Sequence, residues 1–146
     1  MEYYCLRYAV ARWELERRRW LRSRFQSLGI PLGQGQPRTL ECLFRFGPQT
    51  QRQLSEFCGI DGSTMSRSLD RLTEAGLVCR REDPGSRRSI QVYLTDRGQE
   101  VAEKVAEAFA EEDRLVCQGT SEGELLRAVA LLEEMRERLR KNPLQL

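Results

Sequence analysis

The residues best suited to chemistry cluster in the middle of the chain. Ser63, Thr64, Ser66 and Arg67 bring small hydroxyls and a guanidinium within five positions, and Arg87-Arg88 directly follow the turn-forming run Asp83-Pro84-Gly85-Ser86. Hydroxyls are short enough to let a helix sit deep in a groove, and they bond phosphates or base edges. A guanidinium can span both acceptors of a guanine. That chemistry is recognition, not turnover. Histidine is absent, so Ser-His-Asp, Cys-His and HExxH schemes are excluded within one chain. There is no glycine-rich phosphate loop and no nucleophile–base pair, so the expectation is a protein that is not an enzyme and needs no cofactor. A solvated helix face would carry similar residues, so the elements that hold them have to decide.

Thr50 suits a helix N-cap, with Gln53 three residues on as its capping-box partner. The helix that follows runs to Cys58 and is expected to bury Leu54 and Phe57. Gly59 supplies a turn and Ile60 plugs it. Asp61 or Ser63 caps a second helix that reaches about Ala75 and buries Met65, Leu69 and Leu72. With those three inward, the helical period points Ser63, Arg67, Asp70 and Glu74 outward and leaves Thr64, Ser66 and Arg71 on the flanks. Asp70 and Glu74 would repel phosphates and are expected to pair with Arg67 or Arg71 along the helix. Leu77–Glu82 and Ser89–Leu94 read as strands. Ile90, Val92 and Leu94 alternate with polar residues, as in a half-buried strand. Arg87 and Arg88 then ride on an exposed hairpin tip, where a minor groove would supply the matching negative potential. Arg80 and Arg81 at the hairpin base would add phosphate contacts, or simply form a solvated strand edge. A helix, a tight turn, a second helix and an Arg-tipped hairpin make a winged helix-turn-helix.

The rest of the chain is helical. Residues 2–27 carry two apolar stripes, Tyr4-Tyr8-Ala11-Leu15 and Leu6-Val10-Trp13-Trp20. One stripe would serve packing on the helix's own domain, and the surplus predicts a partner subunit. Gly29–Pro37 is a loop, and Pro37 opens a helix over 38–46 whose Leu40, Leu43 and Phe44 face inward. Thr95 caps a long helix over 96–118, with Val101, Val105, Ala108 and Leu115 on its apolar face and Ala102, Ala106 and Phe109 beside them. After Gly119, Ser121 and Glu124 form another capping box. The last helix then places Leu125, Ala128, Leu132, Met135 and Leu139 along one seam.

Composition bounds the remaining possibilities. The net charge is only +2, so bulk charge does not announce a nucleic-acid partner. Lys104 and Lys141 are the sole lysines among 24 basic residues. That excess of arginine suits bidentate contacts, although arginine-rich codon usage would produce it too. Cys5, Cys42, Cys58, Cys79 and Cys117 are odd in number and widely spaced, with no CxxC, which fits reduced thiols in a cytoplasm. No metal site is expected; without histidine, only Cys/carboxylate ligation stays open. There is no 18-residue apolar span and no leader-like apolar region, so neither export nor membrane insertion is expected.

The order of elements and the run SRSLDRLTEAGLVCRREDPGSRRSIQVYLTDRG resemble the MarR family of bacterial transcriptional regulators. DRL-x-x-x-GLV, R-x-D-P and the LT-x-x-G after the wing carry the likeness, which extends over nearly the whole chain. It implies one domain over 1–146, mainly α with a small β-hairpin wing. A winged helix-turn-helix lobe over 37–95 would be flanked by dimerisation helices in 1–36 and 96–146. It implies a homodimer on pseudo-palindromic double-stranded DNA, usually a repressor released by a small aromatic or amphipathic effector in a crevice beside the lobe. Thr50, Gln51, Ser63, Thr64, Ser66, Arg67, Arg71, Arg87 and Arg88 are the expected DNA-binding residues. The family usually has Asp at the wing tip where this chain has Ser86, so Arg88 shares the groove contact with Arg87. The family's peroxide-sensing branch keeps a reactive Cys near tyrosines in its first helix, which marks Cys5, beside Tyr3, Tyr4 and Tyr8, as a possible redox residue. Oxidant sensing, or a winged-helix interaction module that does not bind DNA, are the alternative readings.

Overall fold

A computed structural model describes residues 4–30, 33 and 35–143. Its elements are α1 (Tyr4–Ser27), α2 (Gln36–Phe46), β1 (Gln49–Thr50), α3 (Gln51–Cys58), α4 (Gly62–Glu74), β2 (Val78–Asp83), β3 (Ser86–Leu94), α5 (Asp96–Cys117) and α6 (Glu122–Lys141). The chain divides into two compact units, Met1–Ala110 and Glu111–Leu146.

In the first unit, local signals start and stop the helices. Pro37 lies in the opening turn of α2. Thr50 caps α3 through a reciprocal box: its hydroxyl accepts the Gln53 N–H at 3.2 Å, and Gln53 Oε1 accepts the Thr50 N–H at 2.9 Å. Gly59 ends α3 with φ +66, a left-handed turn that glycine adopts without steric cost. The turn brings α4 across α3, and Ile60 packs partly against the core.

The sheet has three antiparallel strands in the order β1-β3-β2. β3 is central and pairs Val92 with Gln49 on one side and with Arg80 on the other. The two-residue β1 was not foreseen, because two residues carry no periodicity. β3 begins at Ser86 and not Ser89, so the hairpin turn tightens to Pro84-Gly85. Val92 is buried and Leu94 partly so, whereas Ile90 is exposed. The alternation therefore buries only the base of the hairpin, and the distal half projects from the lobe.

A single core joins Leu21 and Phe25 of α1 to Leu40 and Leu43 of α2, to Leu54, Met65, Leu69 and Leu72 of the helix pair, and to Val105 and Phe109 of α5. Phe25 and Phe109 meet edge to face, with centroids 5.8 Å apart. Each fully buried aliphatic side chain contributes roughly 1.5–3 kcal/mol. Phe57 departs from expectation: it is 43% exposed and packs edge-on against the exposed Phe46, at 5.6 Å. Cys58, four residues after Leu54, takes the inward position instead.

α5 is anchored to the far end of α4. Thr95 Oγ1 donates to the Gly76 carbonyl at 2.6 Å and accepts the Gly98 N–H at 3.0 Å. A Cβ on Gly98 would collide with the Leu77 carbonyl, so this close approach requires glycine.

The first half of α1 exposes Leu6, Tyr8, Val10, Trp13 and Leu15. Residues 2 and 3 of the expected first helix, Tyr3 among them, lie outside the described residues. The second unit holds the end of α5, where Leu115 is exposed and not inward as expected, and α6. Ser121 and Glu124 form the expected capping box. No residue of α6 is buried: Leu125 and Met135 are half-covered, and Leu132 and Leu139 are open.

Candidate nucleic-acid interface

The first turn of α4 is organised by a carboxylate. Asp61 caps the helix by accepting the Thr64 N–H at 2.9 Å, and it also accepts the hydroxyls of Ser63 at 2.6 Å and Thr64 at 2.7 Å. These bonds hold its carboxyl well below the usual range. Gln51, at the start of α3, reaches across the turn and donates to the Gly62 carbonyl at 3.2 Å. Thr50 spends its hydroxyl on its own cap, donating to Gln53 Oε1 at 3.0 Å. Ser63 and Arg67 are exposed, while Thr64 and Ser66 are half-buried on the flank. Arg67 leans back toward the helix start, 3.5 Å from Thr64 Oγ1.

Two expected partnerships are different. Asp70 pairs with Arg80 of β2 at 3.0 Å, and not with Arg67 or Arg71. The sheet runs beside α4, so a long side chain from β2 reaches Asp70, while Arg67 leans toward Thr64. Arg71 is exposed, but its guanidinium sits beside the loop before α2: a Cβ on Gly33 would lie 3.5 Å from Arg71 Nη1.

One face of the wing is laced together. Arg81 stacks on Tyr93 at 5.5 Å, Tyr93 donates to Gln91 at 3.4 Å, and Gln91 donates to Asp83 at 3.1 Å. Asp83 also accepts the Gly85 N–H at 2.9 Å and so closes the turn. Arg87 and Arg88 follow it on β3; their side chains lie outside the described residues. The roles of Asp83 and Tyr93, and the bonds from Asp61 to the Ser63 and Thr64 hydroxyls, carry no signal in the sequence. Asp61 was legible only as a possible cap, and the pairing of Asp83 with Gln91 depends on strand register.

Behind this face, a cavity of about 900 Å³ opens between α1, the start of α2 and the α3–α4 turn. Arg17, Arg18, Arg22 and Arg38 line it against a single carboxylate, Glu14, with Phe25 and Phe109 among its apolar walls. Burial pushes the Glu14 carboxyl up, but the Arg18 hydrogen bond and the charges of Arg17, Arg18 and Arg38 outweigh it and hold the group below its ordinary range. Cys58 also lines the cavity and lies 3.6 Å from Thr39 Oγ1. Burial pushes its thiol up, and pushes Cys42 up to about 11 with help from Cys58 and Glu41. Cys5 is exposed. Among the described residues, no group of three or more His, Cys, Asp or Glu could hold a metal ion, and no helix is long and apolar enough to cross a membrane.

A two-helix reader followed by a laced β-hairpin defines a winged helix-turn-helix protein. The profile of the MarR family matches residues 32–90. The chain is 36% identical over 83 residues to the HTH-type transcriptional regulator PecS of Dickeya dadantii (strain 3937), a stretch covering 57% of this chain and 50% of PecS. A second relative, YkoM of Bacillus subtilis (strain 168), is matched over 62% of its length, so the chain aligns with only part of these relatives. Among solved structures, the transcriptional regulator PA3341 superimposes with a TM-score of 0.81 at 27% identity, covering 94% of this chain and 99% of that one. A MarR-family regulator from Silicibacter pomeroyi does so with a TM-score of 0.75 at 28% identity, covering 95% and 92%. Over residues 32–90 the chain matches the MarR family, and across most of its length it resembles transcriptional regulators of that family in fold.

Proposed function

We propose that this protein is a homodimeric, sequence-specific regulator that binds pseudo-palindromic double-stranded DNA as a repressor and is released by a small effector. The observation that carries the reading is the face of α4. Ser63 and Arg67 are exposed there, flanked by Thr64 and Ser66, and the Asp70–Arg80 bridge ties this face to a projecting wing. α4 would enter the major groove, with Arg67 at a base edge and Gln51 and Thr50 near the backbone. The wing would bring Arg87 and Arg88 to the adjacent minor groove. A MarR variant from E.coli complexed with operator DNA shares this fold at 22% identity and a TM-score of 0.72.

The single-domain organisation, with dimerisation helices in 1–36 and 96–146, belongs to the same proposal. The exposed apolar rows of α1 and α6 are what a second copy would cover. The effector would occupy the arginine-lined cavity, whose aromatic walls and excess positive charge suit an aromatic or amphipathic anion. NadR in complex with 4-hydroxyphenylacetate shares the fold at 22% identity and a TM-score of 0.71. Oxidation is a second possible input, since Cys5 is exposed while Cys42 and Cys58 are buried. Loss of a peroxide response in Cys5→Ser would single it out.

Gel shifts on the DNA upstream of the protein's own gene test the reading. Binding should weaken steeply with salt. Arg67→Ala should cost roughly 1–3 kcal/mol and relax preference at one base pair. Binding that is absent from every duplex tried, or indifferent to Arg67, defeats it.

A further inference from the structure

The start of α4 combines a hydroxyl pair with a built-in anion. An ionised carboxylate only accepts hydrogen bonds. The hydroxyls of Ser63 and Thr64, at 2.6 and 2.7 Å from Asp61, must therefore be the donors. Each hydroxyl has one hydrogen, and in both cases it is spent inside the protein. Thr64 Oγ1 also accepts a long bond from Arg67 at 3.5 Å, which leaves it one lone pair. What these side chains can still offer a partner is acceptor capacity. The start of a helix normally welcomes an anion, but here the chain's own carboxylate occupies it, so a phosphate would meet like charge.

We propose that Asp61 sets the hydrogen-bonding polarity of the recognition face. With Ser63 and Thr64 both donating to it, their oxygens remain as acceptors, and the first turn of α4 selects bases that present an amino group in the major groove. On the strand facing this turn, adenine N6 and cytosine N4 offer that donor, whereas guanine and thymine offer O6, N7 or O4 acceptors. Asp61 is thus a positioning residue for specificity, acting through the two hydroxyls. The inference rests on the DNA-reading function proposed above and refines it: Arg67 reads an acceptor edge, and the turn before it reads a donor edge.

The test is selection of bound sequences from a random duplex pool by the full-length wild type, by Asp61→Asn and by the double variant Ser63→Ala/Thr64→Val. Asn caps helices as well as Asp, and the double variant leaves the Asp61 cap to the Thr64 N–H in place, so both should melt as folded proteins. The wild type should enrich adenine or cytosine about tenfold over guanine and thymine at one or two positions per half-site. Both variants should lose that preference at those positions and keep the preference read by Arg67. The proposal is overturned if either folded variant retains every wild-type preference, or if duplexes lacking the exocyclic amino group at the altered positions (purine in place of adenine) bind the wild type undiminished. Those results leave DNA reading itself intact. Failure of the wild type to enrich any sequence removes both.

Discussion

At the scale of single residues, function and folding draw on different side chains. Arg67 is exposed on α4, at the face proposed to read DNA, while Gly98 is buried where α5 meets the α4–β2 connection. Gly98→Ala forces the Leu77 carbonyl aside and should destabilise the protein by roughly 1–3 kcal/mol, the usual cost of overpacking. A thermal melt checks this, and an unchanged midpoint contradicts the close approach. The buried thiols predict an alkaline limit. Cys42 is raised from 9.0 to about 11 in the folded state. Folded protein therefore keeps this proton where unfolded chain has lost it. The associated stability is complete below pH 9 and falls away as pH climbs toward about 11. Denaturant titrations across that window should show the decline, and Cys42→Ala should reduce its steepness. A parallel decline in the variant assigns the effect elsewhere.

At the scale of elements, the caps and turns were readable because their partners lie within three or four residues. The Thr50–Gln53 and Ser121–Glu124 boxes are such cases. The wing was readable as a hairpin, but its register was not, nor was β1. Strand pairing links residues far apart in the chain: Gln49 meets Val92. The Asp70–Arg80 bridge belongs to this scale as well, since it ties helix to wing. Both partners are substantially exposed, so Arg80→Met should change stability by less than about 1 kcal/mol. Duplex affinity should nevertheless fall several-fold, because Asp70 would face phosphates unpaired and the wing would lose its tether. Fluorescence anisotropy on a labelled operator measures this, and undiminished affinity would show that the bridge is incidental.

At the scale of the whole molecule, the exposed apolar residues matter most. Tyr8 and Trp13 on α1, and Leu126, Leu132 and Leu139 on α6, are exposed in a single chain. Burying each of the leucines costs nothing in polar desolvation and gains roughly 1.5–3 kcal/mol when complete. The proposed homodimer should therefore show a dimer mass by light scattering at micromolar concentration. Leu132→Glu with Leu139→Glu should shift it to monomer and sharply weaken operator binding. A wild-type monomer under those conditions rules the assembly out.

By itself, the sequence determined the helix starts and stops, the hydroxyl-and-arginine face of α4 and the existence of a hairpin, since each depends on propensity, capping or periodicity within a few residues. Tertiary structure alone decided that Arg80 neutralises Asp70, that Phe57 faces out while Cys58 faces in, that Arg71 turns to the loop at Gly33, and that four arginines from two helices line one cavity. The physical reason is one of competition. A charged or aromatic side chain has several partners within reach along the chain, and only the packed arrangement of helices and sheet determines which lies at bonding distance.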